Sequence, residues 1–600
     1  MRVSGPRHRS GRRGGVSLVA LVAFGVAGVP FLVHVFGVLN GYFGQDDFIL
    51  TYRAAHGAVY DPGFLFQDYS GHLQPGSFFY AWLVTSLAPL NFTVAVVPLL
   101  VVHAVTLWLC WRVLTLLFGV RWAVLVPFAL FAASPLILFP TVWWAYSLQL
   151  LPVLLALFGA LYAQVRYLDS GAWWYAALGV LWTAVGLAFY EKAALIPAVL
   201  FAVTVFRGPR EEGAIVGALS RHRWVWLGYL VVLGGYLGLY LALTDTPANA
   251  EPVSSRDVLT FVYRSVVDTF LPGLFGGPLT EPAGGAAWVT PPLVVRVGAV
   301  LVAVGVVVAS VVRSRRGALL PWVFLGLYLA VDLALVAGTR LGVLGPAIGT
   351  DPRYLADVVP VAVLCGAFAF FGGNREETET REGDGRRGVG RRMPVAVVGV
   401  CVVLVAGGVA SFVRVAPALQ FREAREYVAT ARAALAEQPG MVLFDTGVPG
   451  AIMIDWFVAD AFTSRVVGLV PESPRFDRPA EELYQLDGNG TPQPVINLDD
   501  PTRALPGPEP DCGYLVGEEP VRIPMEDTVS GRRIVRIGYY TGDSGEGTVT
   551  VGDTRVRVRF TEGLHVVHIV ASGVYAHVEI RRTLRVAPLC VTDVTVGLPG

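Results

Sequence analysis

Apolar runs of about 20 residues recur through the first two-thirds of this chain, and that recurrence constrains its fold more than any other feature. A run of that length crosses a bilayer as a helix, because lipid offers no partner for backbone N–H and C=O groups. Such runs fall at 16–38, 92–111, 122–139, 148–163, 173–189, 193–206, 224–243, 293–312, 319–337, 354–371 and 395–413, about eleven spans by length. Composition agrees: the 600 residues are 54% hydrophobic and 15% charged, against about 25% charged in a soluble chain. The fold class is a polytopic α-helical membrane protein, with a polar C-terminal domain after the last span.

Basic residues set the orientation. Arg2, Arg7, Arg9, Arg12 and Arg13 precede the first span, which predicts a cytoplasmic N-terminus. No small-residue cleavage site closes that run, so it reads as a retained helix and not a removed signal peptide. Counting onward, the arginine-bearing loops 112–121, 166, 207–223, 313–316 and 375–392 all fall inside, the last with six arginines. One span too many early on would invert every later loop, so the agreement tests the assignment. The expected domains are a basic cytoplasmic stretch at 1–15, a transmembrane domain at 16–413 with a cytoplasmic linker at 373–393, and an extracytoplasmic domain at 414–600. The outer loops are 40–91 and 244–290. Within the first of them, 77–90 is apolar but short and carries Pro89, which suits a juxtamembrane or re-entrant helix.

Polar residues collect on the outer side. The first outer loop opens with the adjacent carboxylates Asp46 and Asp47 and continues to His72-Leu73-Gln74-Pro75. Paired carboxylates beside a membrane helix repel each other and lose solvation, so a cation, a proton or a substrate is expected to use them. A solvated loop or a helix N-cap is the simpler account of such a pair. Glu191, Lys192, Arg340, Asp351 and Arg353 fall at the same face. Cations placed outside against the general rule point to an anionic ligand, for which a lipid-linked phosphate is the natural choice. Glu191 and Lys192 also suit helix ends, with the lysine snorkelling to the interface.

Within the spans, Asp332 and His103 are the clearest polar residues, and either serves function or interhelical packing. They do not form the chain of ionisable groups expected of an ion-coupled pump. Gly383-Asp384-Gly385-Arg386-Arg387-Gly388 matches G-x-G-x-x-G in letters but follows no strand and opens no helix, so it is a linker. No P-loop, H-E-x-x-H or G-x-S-x-G occurs, which argues against an ATP-driven transporter and an ordinary hydrolase.

The tail reads as a helix over 421–436, a buried strand at 441–445, and strands beyond Cys512. Residues 554–560 alternate strictly, with Gly552-Asp553 as a hairpin turn before them. His565, His568 and His577 follow without zinc spacing and read as polar positions on a sheet face. Of the five cysteines, Cys110, Cys365 and Cys401 lie in apolar runs as small hydrophobes. Cys512 and Cys590 are the disulfide candidates if the tail is outside the cytoplasm.

The plan resembles the GT-C superfamily of integral membrane glycosyltransferases, which includes protein O-mannosyltransferases, the aminoarabinose transferase of lipid A and oligosaccharyltransferases. Four elements over residues 16–413 carry the resemblance: the acidic pair Asp46-Asp47 after the first helix, His72-Leu73-Gln74-Pro75 before the next apolar segment, Phe189-Tyr190-Glu191-Lys192 at a helix end, and Asp351-Pro352-Arg353-Tyr354-Leu355 followed by Pro360. The second departs from the family in lacking a double proline, which leaves that loop's role open.

The resemblance implies transfer of a sugar, with inversion, from a polyprenyl-phosphate carrier to an envelope glycan, lipid or protein at the outer face of a bacterial plasma membrane. Asp46 or Asp47 is then the general base. Lys192 and Arg353 partner the phosphate, with Arg340, His72 and Tyr354 beside them and Glu191 and Gln74 in support. Asp46 and Asp47 are also the only residues offered to a divalent metal, Mg or Mn, whose need stays open. Nucleic acid is not among the implied partners. The competing reading is a non-catalytic envelope protein: a glycan-lipid transporter, a scaffold, or an inactive relative of the transferases.

Overall fold

The computed structural model describes residues 18–208, 214–245, 252–277, 280, 289–314, 316–372, 392–457, 460–583 and 587–600. The basic stretch 1–15, the G-x-G-x-x-G match and most of the linker at 373–393 lie outside the described residues. The chain forms two compact units: residues 1–43 with 56–420, and residues 44–55 with 421–600. The first outer loop is therefore divided, and its acidic pair belongs to the second unit.

The first unit is helical. Eight helices among the described residues are long and apolar enough to cross a membrane, and they occupy the expected runs with shifted ends. One expected span is broken, one is shortened and one keeps its expected bounds but falls below the length of the eight. The run expected at 122–139 splits into a 3-10 turn Trp122–Val124, a helix Leu125–Ala132, a short helix Pro135–Leu138 and a 3-10 turn Pro140–Val142. Proline explains the break: Ser134, before Pro135, sits at ψ 117, because a residue preceding proline is pushed out of the helical region. The runs expected at 173–189 and 193–206 are helices Trp173–Phe189 and Ile196–Arg207. They are joined by an extended Tyr190 and a 3-10 turn, Glu191–Leu195.

Small residues let these helices approach, as in other membrane bundles. A Cβ at Gly159 would lie 2.6 Å from the Trp182 ring, and one at Gly408 would lie 1.9 Å from the Ala133 carbonyl. Some polar side chains inside the bundle pair with one another. His103 bonds His34 through their Nδ1 atoms at 3.2 Å, and His34 Nε2 bonds Thr141 Oγ1 at 2.9 Å. Because the threonine hydroxyl already donates to the Ile137 carbonyl, it accepts from His34. His103, read from sequence as function or packing, thus joins three transmembrane segments.

After the segment 44–55, the second unit continues with the helix Arg422–Glu437 and a four-stranded mixed sheet. The strands are β1 (Val442–Leu443), β2 (Arg475–Phe476), β3 (Tyr484–Leu486) and β4 (Pro492–Pro494). β1 pairs in parallel with β2 and β3, and β3 pairs antiparallel with β4. There follow β5 (Leu498–Arg503), β6 (Tyr514–Val516), β7 (Val521–Ser530), β8 (Arg533–Thr541), β9 (Gly545–Val551), β10 (Thr554–Phe560), β11 (Gly563–Ala571), β12 (Val574–Arg582) and β13 (Leu589–Pro599).

These form two sheets, β10-β9-β12-β7 and β11-β8-β13-β5, with β6 on β13. Their inner faces share one core, including Ile523, Val549 and Val578 from one sheet and Ile537, Val567 and Val594 from the other. The hairpin turn at Gly552-Asp553 connects Val551 to Thr554, with Gly552 at φ +53, a conformation that suits such two-residue turns. Cys512 and Cys590 are disulfide-bonded, while Cys110, Cys365 and Cys401 are buried and free.

The candidate site residues

His72 stands on a tight turn. Tyr69 and His72 bridge each other through both backbone bonds, at 3.2 and 3.0 Å. Ser70 and Gly71 turn the corner at φ 54 and φ 80, the two left-handed residues of a type I′ turn. The turn is held from outside at three carbonyls. Arg340 Nη2 donates to Ser70 at 2.7 Å, Tyr240 Oη to Gly71 at 2.9 Å and Tyr236 Oη to Leu73 at 3.1 Å.

Arg340 also donates to His72 Nε2 at 2.8 Å, and His72 Nδ1 lies 2.8 Å from Glu191 Oε1. Since Nε2 accepts, the imidazole proton is on Nδ1 and is donated to the carboxylate. Burial raises the Glu191 carboxyl, but His72 and Arg340 outweigh it and hold the group below its ordinary value. Arg340 lies in a π-helical turn, Ala337–Leu341, that continues the preceding helix. Nη2 makes its two bonds; Nη1 and Nε have no partner among the described residues, and the side chain is half-buried. Gln74 follows at the entrance of the helix Pro75–Leu87. Its Oε1 accepts from Gln149 Nε2 at 2.9 Å, while its buried Nε2 and the buried Glu191 Oε2 lack partners among the described residues.

Lys192 has a different setting from the one read in sequence. It is 7% exposed and its ammonium contacts Asp332 Oδ1 at 2.7 Å, Asp357 Oδ1 at 2.7 Å and the Tyr354 carbonyl at 2.8 Å. Of the ammonium's three N–H groups, two are hydrogen-bonded, to Asp357 Oδ1 and the Tyr354 carbonyl, and Asp332 lies in ion-pair contact. Lys192, expected from the resemblance as a phosphate partner, lies between two carboxylates that compensate its charge. Asp332, fully buried in mid-helix, gains its partner here, and Tyr328 Oη adds a bond to Asp357 Oδ2 at 3.3 Å. Tyr354 contributes its carbonyl to the lysine rather than its hydroxyl.

Arg353 pairs with Asp351, Nη2 to Oδ2 at 2.6 Å, and stacks over the Trp143 ring at 4.6 Å. Tyr146 Oη donates to the Arg353 carbonyl. Asp357, Tyr236, Tyr240 and Tyr146 were missed in sequence. One signal was available for the lysine: it is the only lysine in the sequence, so a chain that otherwise uses arginine keeps an ammonium where three acceptors converge on one point.

In the second unit, Asp47 is the first residue of the helix Asp47–His56. Its Oδ2 accepts from the Gly44 N–H at 3.0 Å, and it is fully buried, whereas Asp46 is half-buried. The preceding Gln45, at φ 55, donates its N–H to the Ile452 carbonyl at 2.9 Å and accepts at Oε1 from the Ile454 N–H at 3.0 Å. Asp47 thus stands in the first turn of a helix. No group of three or more His, Cys, Asp or Glu side chains that could hold a metal occurs among the described residues.

No protein-family model matches the chain, and no curated protein matches it in sequence. Among solved structures it is similar to the oligosaccharyltransferase of Archaeoglobus fulgidus, tethered to an acceptor peptide, at 12% identity and a TM-score of 0.40 over 76% of this chain. It is similar to ArnT of Cupriavidus metallidurans, bound to undecaprenyl phosphate, at 10% identity and a TM-score of 0.40 over 78% of this chain and 94% of that one. The arabinosyltransferase EmbB of Mycobacterium smegmatis aligns at 16% identity and a TM-score of 0.31 over 100% of this chain. The chain covers 63% of the oligosaccharyltransferase and 66% of EmbB, less than two thirds of either.

Proposed function

We propose that this membrane protein is a glycosyltransferase that moves a sugar from a polyprenyl-phosphate donor to an envelope acceptor, with Arg340 as the cation that meets the donor's phosphate. The observation that carries the reading is the chain Glu191–His72–Arg340. A guanidinium with unpartnered N–H groups is held at one edge by an imidazole and a turn carbonyl, and so is oriented before any ligand arrives. Such a group is suited to charge that develops on a leaving phosphate. The unpartnered Gln74 Nε2 and Glu191 Oε2 are a donor and an acceptor of the kind that sugar hydroxyls use.

In this reading His72 positions Arg340, and Glu191 fixes the His72 tautomer. Lys192 holds Asp332, Asp357 and the backbone at Tyr354 in place, and with them the Asp351–Arg353 pair. Arg353 remains a second phosphate partner. Asp46 or Asp47 is the acceptor's general base, on the strength of the sequence argument alone and to be tested separately. A divalent metal at that pair stays an open part of the proposal.

The test is transfer of radiolabelled sugar from polyprenyl-phosphate donors in membranes. Arg340→Gln should lower the rate by about 10²–10³-fold, as loss of one preorganised donor does. Asp46→Asn or Asp47→Asn should lower it by about 10²–10⁴-fold if that residue is the base. Wild type that transfers nothing across a panel of donors would sink the enzyme reading in favour of a scaffold or transporter, and an Arg340→Gln protein as active as wild type would remove Arg340 from it.

A further inference from the structure

The outward face of the sheet β10-β9-β12-β7 is cationic in an uneven way. On β10, Arg555, Arg557 and Arg559 all point outward and are exposed. Alternate residues of a strand are about 6.8 Å apart, so the three guanidinium groups form a row about 14 Å long. Across the ladder, Arg555 faces Thr550, Arg557 faces Thr548 and Arg559 faces Glu546. One strand further, Arg581 faces Thr548, while Glu579 faces Thr550 and ion-pairs with Arg522 of β7 at 3.1 Å.

The same sheet thus pairs arginine with glutamate at one edge, and at the other sets Arg555 and Arg557 opposite threonine, with Arg559 alone opposite an acid, Glu546. Arg555, Arg557 and Arg559 make no ion pair or side-chain hydrogen bond among the described residues, and Arg581 bonds only the Glu518 carbonyl. The acids on this face are Glu546, Glu579 and, further along β7, Glu526; His577 is also exposed on β12. One or two charges suffice to keep an edge strand from pairing with another sheet, and this row has more.

We propose that the β10 half of this face binds an extended anionic polysaccharide, the Arg555–Arg557–Arg559 row engaging successive carboxylates or phosphates along one strand of it. Guanidinium groups match such oxyanions in two-point geometry, and the neighbouring threonine hydroxyls can bond sugar oxygens. Two observations favour a glycan over other polyanions. The domain carries the Cys512–Cys590 disulfide, which belongs to an oxidising compartment outside the cytoplasm, away from nucleic acid. The face bears no exposed aromatic side chain, Phe560 and Tyr575 being buried, whereas surfaces that dock on lipid use such anchors. The inference stands apart from the catalytic reading, since it concerns binding alone.

The experiment uses the full chain in neutral detergent micelles, with fluorescent polygalacturonate as the probe and neutral dextran as the control. Wild type should bind polygalacturonate and not dextran, with affinity falling as salt rises. Arg555→Gln/Arg557→Gln/Arg559→Gln should weaken binding by roughly tenfold. Arg475→Gln/Arg478→Gln/Arg503→Gln, which removes as many exposed arginines elsewhere in the unit, should leave it unchanged. No binding by wild type, equal loss in both triple variants, or equal binding of dextran each overturns the proposal. Protein in phosphatidylcholine nanodiscs is compared with vesicles of equimolar phosphatidylcholine and phosphatidylglycerol. If these vesicles capture it through the same three arginines while polygalacturonate does not compete, the face is a lipid-docking surface and the glycan proposal fails.

Discussion

Replacing Lys192 by methionine isolates what its ammonium does. Methionine keeps the stem's length but strands Asp332 and Asp357, which are 0% and 5% exposed. Two unit charges 2.7 Å apart attract by about 6 kcal/mol at an effective dielectric near 20. Most of that only offsets the desolvation of the groups. What a substitution reveals is the cost of leaving the partners buried and uncompensated, about 3–5 kcal/mol. The measurement is urea unfolding in mixed micelles, followed by tryptophan fluorescence. Adding Asp332→Asn should recover about 1–3 kcal/mol, since neighbours in one ion network are not additive. Lys192→Arg should recover less than half of the loss, because a planar fork cannot aim at three acceptors gathered around a point. A Lys192→Met protein within about 1 kcal/mol of wild type, or strictly additive losses in the double variant, would refute this account.

Two further outcomes concern the second unit. The Cys512–Cys590 bond closes a loop with a separation of 78 residues, for which chain entropy gives about 4.5 kcal/mol; reduction should therefore lower the urea midpoint of this unit, and an unchanged midpoint would show the bond to be dispensable. His568 is held below its ordinary value by burial and by Arg536, with backbone bonds at Glu481 and Ala480 opposing. The folded state then binds fewer protons than the unfolded one just below the ordinary histidine value, so stability falls as pH drops below about 6.5. His568→Gln should flatten that dependence between pH 5 and 7, which a pH series of unfolding midpoints would read.

The spans were legible because length and apolarity suffice to specify a helix in lipid, where the backbone has no other solution. What length could not reveal was continuity: Pro135 and Pro140 break one expected span, and the 3-10 turn after Tyr190 takes the first residues of another. Glu191 and Lys192 were correctly seen as helix-end residues, yet neighbours in sequence part ways in space. The glutamate turns to His72 and the lysine to Asp332 and Asp357. Those partners lie more than a hundred residues away, and no periodicity encodes such a meeting. The hairpin at 552–553 was legible because a two-residue turn with glycine between alternating strands is a local signal. The row of arginines on β10 was visible as alternation, but which of them face threonine and which an acid depended on register with β9.

The second unit is made from two pieces of chain, and this sets the order of its biosynthesis. Gln45 donates its backbone N–H to the Ile452 carbonyl and accepts at its side-chain Oε1 from the Ile454 N–H, the Phe421 ring fills the space that a Cβ at Gly44 would need, and Arg465 stacks over Tyr52 at 3.8 Å. The ribosome must produce all of residues 56–420 between these partners, roughly 20–70 s at ordinary rates of synthesis. During that time the segment with Asp46 and Asp47 exists without the strands and loops that fix it. The acidic pair is translated well before the partners that give it its shape. A transplanted tail that began at Phe421 would arrive without a segment it is built around.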